Sequence, residues 1–446
     1  MFKGKTTYSY KNKFKKVTYS LKEKIIFTSL ILILIQFLSQ IPIYGINREL
    51  IDTWLTSDLS QALGIFTMFS GSSFANLSIF ALGIAPYITS SIIIQLLRVA
   101  IPSLDEICKD GATGKDKAEK FTYIGAGIIG AIQIIPMVFN FASSGLLIEN
   151  SALYIGIVSI SLFLGSALLI FLGKTMDNRG IGNGISLILL VNILSTMPGD
   201  FYNIYAMFIK GKSPFIAIIA ILVTLIIIVG TLIGVIYLNE GKKEIRTTNS
   251  GKMAGRKTMK GSGSSIPLKV NMSGVMPVIF ASSLMQMFPV CVALFKVEET
   301  SILYKISNFF NQGNWFDFEH FYYTLGIIPY VFLVIFFAYF YNMISFNTKE
   351  ISRNLASNGT IINGIRQGKP TEEFLNAQLK YLLLLGSLML VVITLIPTIV
   401  SGVCGLYLSF GGTSLLIVVS VIVETYGKVK VEKMSNATRT KSFINK

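Results

Sequence analysis

The amino-acid sequence predicts an all-α integral membrane protein with ten transmembrane helices. Of the 446 residues, 52% are hydrophobic and only 14% are charged, a balance that a soluble protein of this size could not bury in its cores. Apolar runs long enough to span a bilayer recur along the chain, and 34 of the 39 Lys and Arg residues fall in alternate connections between them. Together these features indicate that lipid surrounds most of the chain.

Each predicted span is a largely charge-free run close to the roughly 20 residues that an α-helix needs to cross a hydrocarbon core about 30 Å thick. The ten spans lie at 25–44, 76–97, 121–141, 151–173, 181–198, 214–238, 273–294, 322–346, 381–400 and 405–424. The basic segment 1–24 precedes the first span, and no small-residue cleavage site follows closely. We therefore expect a retained anchor rather than a removed signal peptide.

The charge-free stretch 59–97 does not fit this counting, because it is too long for one span and too short for two. Its first part mixes several Ser and Gly residues with a few large apolar side chains, which predicts a short re-entrant or half helix. Such a segment is stable at membrane depth only where protein or water surrounds it.

The basic residues predict that both termini are cytoplasmic. Ten spans place the two ends on one side, and the positive-inside rule assigns that side to the basic connections. The longest of these, 239–269 and 347–380, contain 8 and 5 Lys or Arg residues, and the tail 425–446 contains 6. Orientation thus accounts for most of the net charge of +16, while the two long loops are candidate docking surfaces for a partner.

The sequence gives no sign of an enzyme. It contains no G-x-x-x-x-G-K-[ST] motif, and although GAGIIG at 125–130 matches G-x-G-x-x-G, no strand precedes it. That motif lies in the third predicted span, where small residues allow helices to pack closely. The spans contain no His, Asp or Glu at membrane depth, which argues against a protease, a metal site or an ion-coupled carrier. We expect no catalytic residue, metal or cofactor.

Three predicted spans are unusually polar and are interrupted by Gly and Pro, within 79–97, 179–194 and 271–289. Hydroxyl and amide side chains there can form hydrogen bonds between helices. They are Thr89, Ser90, Gln95, Asn183, Ser282 and Ser283. Ordinary helix packing and a seam that opens both explain this composition.

Five ordered blocks of the sequence resemble the SecY family of protein-conducting channels. They are 80–97, 179–190, 255–283, 349–375 and 410–424. The resemblance covers nearly the whole chain and implies a channel subunit of the Sec translocase in the bacterial plasma membrane. Such a protein passes unfolded secretory polypeptides and releases transmembrane segments sideways into lipid. Two inverted pseudosymmetric five-helix halves, 25–198 and 214–424, would surround a central pore, with a lateral gate between spans 2 and 7.

The resemblance also implies roles for individual residues. The pore ring would consist of six aliphatic side chains, Ile84, Ile88, Ile185, Leu189, Ile279 and Ile417. The half helix at 61–74 would be a plug that closes the pore from outside, and it includes Phe66, Met68, Phe69, Ser70 and Gly71. The lateral gate would include Thr89, Gln95, Asn183, Ser282 and Ser283. Partners would dock at Arg256, Lys257 and Arg366.

The implied partners are SecE-like and SecG-like small membrane subunits, the SecA ATPase, the ribosome, precursor polypeptides and the lipid bilayer. The chain departs from the family pattern at the docking positions, where an arginine pair reads Arg256 and Lys257 and a proline is replaced by Gln367. An accessory paralogue with a restricted substrate set therefore stays open. A secondary solute transporter and a non-conducting scaffold are further alternatives.

Overall fold

The computed structural model is built mainly of helices. It describes residues 20–51, 70–109, 111–206, 210, 214–249, 253–254, 257–258, 263–294, 301–312, 315, 321–403 and 412–444. Three hydrophobic clusters organise these residues: one shared by α-helices from both ends of the chain, one around residues 43–82 and 134–162, and one beneath a small sheet.

The first seven helices follow the first five predicted spans. They are α1 (Leu21–Leu38), α2 (Ser72–Ala75), α3 (Ala85–Ala100), α4 (Pro102–Lys109), α5 (Gly111–Ser143), α6 (Ala152–Arg179) and α7 (Gly184–Ile204), with a 3₁₀ turn at Arg48–Leu50. A capping box begins α1, because Ser20 and Glu23 each accept a hydrogen bond from the other's backbone N–H. α3 packs against α5, and α6 packs against both α5 and α7.

The second part of the chain contains seven more helices and five strands. The helices are α8 (Pro214–Glu240), α9 (Met276–Leu294), α10 (Ile302–Phe310), α11 (Ile327–Ser345), α12 (Thr348–Ser357), α13 (Lys369–Val403) and α14 (Gly412–Ile444), with a 3₁₀ turn at Phe321–Gly326. The strands are β1 (Lys242–Asn249), β2 (Met253–Ala254), β3 (Lys257–Thr258), β4 (Gly263–Lys269) and β5 (Thr360–Ile362). α9 packs against α11, and α8 packs against α14.

Several of these helices can cross a membrane. Within the described ranges, five segments are long and apolar enough: Asp116–Ser143, Ala152–Arg179, Ile221–Glu240, Tyr322–Ser357 and Lys369–Val400. α3 and α4, which meet at a bend of 113°, would together form a sixth, broken span. The all-helical membrane class is thus confirmed, whereas the count of ten spans stays a prediction.

One predicted boundary is wrong. The second span was expected over 76–97, but its helix begins at Ala85, after a series of turns in which Gly83 has a φ of +60°. Pro86 lies in the first turn of α3, the position where a proline is best tolerated in a helix. At the other end, α14 continues to Ile444, so most of the expected tail 425–446 is helical, and its cytoplasmic position stays a prediction.

A small sheet joins the two long basic loops. β1 pairs with both β4 and β5 in antiparallel register, giving the order β4-β1-β5, so the loop 239–269 and the loop 347–380 form one structure. Ile245, Leu268, Ile362, Leu375 and Leu379 form its buried core. The two loops that the sequence marks as candidates for docking a partner are therefore joined by this sheet.

Candidate pore and lateral gate

Six aliphatic side chains from four helices meet in one hydrophobic cluster. Ile88 lies on α3 just after Ile84, the residue that precedes the helix, and Ile185 and Leu189 lie on α7. α9 and α14 contribute one residue each. Five of the six are buried, namely Ile84, Ile88, Leu189, Ile279 and Ile417, and Ile185 packs against them partly buried. The structure thus brings the predicted ring residues into common apolar surroundings, while their role as a pore constriction stays a prediction.

The turn between α6 and α7 orients the ring residues of α7. Asn183 is the N-cap of α7, where its side chain accepts a hydrogen bond from the Ser186 N–H at 3.4 Å. Asp177 accepts a second from the Gly184 N–H at 2.6 Å. A β-carbon at Gly184 would clash with the Gly173 carbonyl oxygen, so this close turn requires glycine. Asn183, predicted at the gate, thus sets the start of α7.

The predicted gate helices, α3 and α9, contact each other. Ser282 is buried on α9 and Ser283 is half-buried. Thr89 donates to the carbonyl oxygen of Ala85 at 3.0 Å, and Gln95 donates to Ser91 Oγ at 3.1 Å. Both of these bonds stay within α3, so they do not join the two helices as we had expected.

Ser90 bonds to another helix, and that helix is α5. Its hydroxyl donates to the Thr122 carbonyl oxygen at 2.8 Å. A β-carbon at Gly125 would clash with Ser90 Oγ, so the first glycine of GAGIIG permits this approach. The packing interpretation of that glycine is confirmed.

The described end of the predicted plug rests on α7. Phe66, Met68 and Phe69 lie outside the described residues, but Ser70 and Gly71 are buried. The Ser72 N–H donates to Ser195 Oγ at 3.1 Å, and Gly71, with a φ of +62°, approaches the Asn192 carbonyl oxygen so closely that a β-carbon would clash with it.

Asn192 and Ser195 follow Leu189 on α7 by three and six residues, or about 4.5 and 9 Å along the helix axis. The described end of the predicted plug is therefore seated within two helical turns of Leu189, a predicted ring residue.

The sequence and the fold match one family. A model of the family described as SecY matches residues 78–426. The protein translocase subunit SecY of Halalkalibacterium halodurans is 35% identical, over 95% of this chain and 97% of that protein.

The chain belongs to the SecY family. This membership confirms the predicted function, a protein-conducting channel subunit of the Sec translocase, and the prediction that the protein is not an enzyme. Among solved structures, one titled the structure of a protein conducting channel has a TM-score of 0.62 at 18% identity, covering 93% of each chain. Sec61 in the canine ribosome-channel complex from the endoplasmic reticulum has a TM-score of 0.58, also at 18% identity and with 93% of each chain covered.

Two of the three predicted docking residues of this SecY-family protein fall within the described residues. Arg256 is outside the described residues and Lys257 lies in β3. Arg366 is exposed in the loop between β5 and α13, where Gly364 and Gly368 have φ values of +82° and +90°. Its carbonyl oxygen accepts a hydrogen bond from Thr371 Oγ1 at 2.8 Å. The loop is therefore ordered and presents the guanidinium group outward.

A buried polar chain was not predicted. Asn239 Nδ2 on α8 donates to Ser420 Oγ on α14 at 2.8 Å, and Asn271 Nδ2 donates to Asn239 Oδ1 at 3.0 Å. Ser273 Oγ is 3.5 Å from Asn271 Oδ1. These bonds fix the entry to α9, a predicted gate helix, against α8 and α14. The sequence signal is NMSG, a polar run immediately before an apolar span.

The described residues provide no place for a metal: no group of three or more His, Cys, Asp or Glu side chains there could hold one. The channel function of the SecY family requires no bond-making chemistry from this chain.

Proposed function

We propose that this SecY-family protein passes unfolded secretory polypeptides across the plasma membrane of a bacterium through a pore lined at its narrowest point by the six aliphatic ring residues. One observation carries the proposal: α3, α7, α9 and α14, which come from both halves of the chain, bring these six side chains into one apolar cluster. A narrow apolar ring excludes water and ions by dewetting. Aliphatic side chains can also pack around a passing chain of any sequence.

A lateral gate between α3 and α9 would release transmembrane segments into lipid. The local hydrogen bonds of Thr89 and Gln95 support this, because separating the helices would not break those bonds. Each Leu or Ile of a signal sequence favours the membrane by about 0.3–0.6 kcal/mol, so a segment of roughly ten such residues gains several kcal/mol by leaving the pore. The apolar segment itself thus supplies the driving force for lateral exit.

The segment 61–74 would be the plug that closes the pore from outside. The seat of Ser70 and Gly71 on α7, close to Leu189, supports this role. Displacement of the plug by a polypeptide would break the Ser72 bond to Ser195 and separate Gly71 from Asn192.

Both termini would be cytoplasmic, with the sheet surface and its basic residues facing the partners that drive transport. The proposed partners are a SecA ATPase, a ribosome, and SecE-like and SecG-like membrane subunits. The positions of Lys and Arg support the orientation. The exposed Arg366 supports docking at the sheet, and the similar Sec61 in a ribosome-channel complex supports the ribosome as one partner.

Site-specific crosslinking tests the pore. A photoactivatable residue at Ile279 or Ile88 should crosslink to the mature part of a stalled secretory precursor in native membranes. The matched control is the same probe at Ile128 on α5, whose side chain is 58% exposed on the outside of the helix bundle and should label lipid. Equal yields of precursor crosslinks from the ring position and from Ile128 would disprove the ring assignment. The absence of crosslinks from the ring position, with precursor still bound, would also disprove it.

A further inference from the structure

α14, from the second half of the chain, lies against helices of the first half. It packs against both α7 and α1. Thr425, Val429 and Glu432 follow one another by four and three residues, a spacing that places them on one face of α14. All three are half-buried, whereas Tyr426 and Lys430 beside them are exposed. This face of α14 is therefore the one that meets the first half.

The turn between α6 and α7 is held between α1 and α14. On one side, the Ile181 N–H donates to Thr28 Oγ1 of α1 at 3.1 Å, and a β-carbon at Gly180 would clash with that oxygen. On the other side, a β-carbon at Gly182 would lie 3.3 Å from Thr425 Oγ1 of α14. Gly182 also has a φ of +90°, a conformation that glycine adopts at little cost. The turn thus fits between the two helices because its glycines take up little space.

Opposite charges reinforce this contact. Lys24 on α1 forms an ion pair with Glu432 on α14. The two side chains are 24% and 29% exposed, so salt screens this pair less than a pair on the open surface. Lys428, one turn earlier on α14, attracts the carboxylate of Asp177 on α6 and also pairs with Glu424 at 2.8 Å. Charges on α14 therefore join it to both α1 and α6.

The contact also fixes α7 and α14, two of the helices that carry predicted ring residues, relative to each other. Asp177 accepts a hydrogen bond from the Gly184 N–H at 2.6 Å, and Ile185 of the predicted ring follows directly. On α14, Thr425 lies eight residues after Ile417, or about 12 Å along the helix axis. A shift of α14 away from the α6–α7 turn would therefore move one part of the predicted ring away from another.

The other side of the predicted ring, where α3 meets α9, is joined differently. The side-chain hydrogen bonds of Thr89 and Gln95 stay within α3. Separation of α3 from α9 leaves these bonds intact, whereas separation of α14 from α1 breaks the ion pair between Lys24 and Glu432. The charged contact therefore restrains the two halves on the side away from the predicted gate.

We propose that this contact is a clasp that holds the two halves together at α7 and α14 and sets how strong a driving force is needed to open the gate. The clasp consists of Lys24, Asp177, Thr425, Lys428 and Glu432. Without it, the halves separate under a weaker driving force, so a signal sequence with a shortened apolar segment gains export. This consequence rests on the proposed export function, whereas the clasp itself does not.

Charge reversal tests the clasp without any assay of transport. Spin-labelled non-natural amino acids at the exposed positions Asn178 and Tyr426 report the distance between α6 and α14 in lipid nanodiscs. Lys24→Glu places two carboxylates together and should broaden the distance distribution. Adding Glu432→Lys restores opposite charges and should return the distribution to that of the wild type. Lys22→Glu, the same change at an exposed cation two residues earlier, is the matched control and should change nothing.

A wild-type distribution in Lys24→Glu would overturn the proposal. A broad distribution that the reversed pair does not restore would also overturn it, because the effect would then not come from attraction between these two side chains.

Export of two precursors tests what the clasp does. One precursor has an intact signal sequence, and the other has a signal sequence with a shortened apolar segment. In Lys24→Glu and in Glu432→Gln, export of the shortened form should rise about threefold to fivefold, as expected for the loss of a partly exposed ion pair, with export of the intact form unchanged. Glu432→Gln guards against misfolding, because it removes the attraction without adding repulsion. The reversed pair should export both precursors as the wild type does.

The two experiments separate the clasp from the proposed function. If the wild type exported neither precursor, the export function would fail, and the spin-label distances would still decide whether the clasp exists. Broadened distances with wild-type export of the shortened form would overturn the proposal, because the ion pair would then be a structural contact alone. Lower export of the shortened form would overturn it as well, since loss of a restraint on opening cannot hinder opening.

Discussion

At the residue scale, the backbone of Gly71 links the proposed plug to the pore helices. Its φ of +62° and ψ of −141° lie close to a region that essentially only glycine occupies, where strain costs an ordinary residue about 1–3 kcal/mol. Its contact with the Asn192 carbonyl oxygen leaves no room for a methyl group. Two independent constraints therefore require glycine at one position, and only the second depends on the seat on α7.

Gly71→Ala should therefore weaken the plug seat and raise ion leak through the resting channel. Gly145→Ala is the control for a positive φ without a close contact, because Gly145 has a φ of +72° and a β-carbon there meets no atom within 4 Å. Conductance of purified channels in planar bilayers is the measurement. A leak in Gly71→Ala but not in Gly145→Ala supports the seat, and equal conductance of the two variants contradicts it.

The residue scale also shows what sequence reasoning could not reach. The sequence shows which spans carry polar side chains, but hydropathy does not show which way each side chain points. A hydrogen bond reaches only about 3 Å, so the bonding partner of each side chain could not be predicted. Asn183 proved to be a helix cap and Ser90 a contact to α5. The six predicted ring residues lie in one hydrophobic cluster. They were chosen from the resemblance to a family, because their spacing alone does not distinguish them from core residues.

At the element scale, the position of α9 depends on the polar chain before it. Asn239 is bonded to both Asn271 and Ser420, so it holds the entry to α9 against α14. Removing one partner of a buried hydrogen bond costs about 1–3 kcal/mol. Since the two bonds share Asn239, loss of one should change the value of the other.

Asn271→Ala and Ser420→Ala should each destabilise the protein, and the double variant should deviate from the sum by about 0.5–3 kcal/mol. The free energy of unfolding in mixed detergent micelles is the measurement. Thr28→Ala provides the reference, because Thr28 accepts a hydrogen bond from the Ile181 N–H in a different contact. The effects of Thr28→Ala and Asn271→Ala on the free energy of unfolding should add. If the effects of Asn271→Ala and Ser420→Ala also add, the hydrogen bonds of Asn239 do not act as a unit.

Helices were easier to predict than their ends or the sheet. A bilayer demands about 20 apolar residues per crossing, so hydropathy alone located α5, α6, α8 and α13. The pairing of β1 with β5 joins loops that are far apart in sequence and polar, and no local pattern reveals such contacts. α14 continues past its apolar part because its polar turns can stay helical in water, where hydropathy gives no signal.

At the scale of the whole molecule, both halves of the chain contribute to the proposed ring, and both long loops contribute to the small sheet. Lys24 at the start of α1 forms an ion pair with Glu432 on α14, which joins the two ends of the chain. Lys243 on β1 donates to Gln378 on α13 at 2.6 Å, which ties one loop to the base of the other. The proposed docking surface is thus joined to α8 and α13, two helices of the channel itself.

This connection makes Arg366 a test of the whole arrangement. It lies exposed on an ordered loop beside the sheet, and Lys349 is an exposed cation on α12 in the same basic region. Arg366→Glu and Lys349→Glu change the net charge of that region equally, so the positive-inside rule predicts equal effects on orientation. Partner contact, in contrast, depends on position, because a charge reversal acts over about one Debye length of roughly 10 Å.

Export of a secretory precursor, measured beside the membrane insertion of the channel, separates the two effects. Arg366→Glu should reduce export by about tenfold, corresponding to the loss of one charge-assisted contact of about 1.5 kcal/mol, with insertion unchanged. Lys349→Glu should export as the wild type. Wild-type export in both variants would mean that the basic loops serve orientation alone. A surface that binds a partner must distinguish a charge at the contact from one beside it.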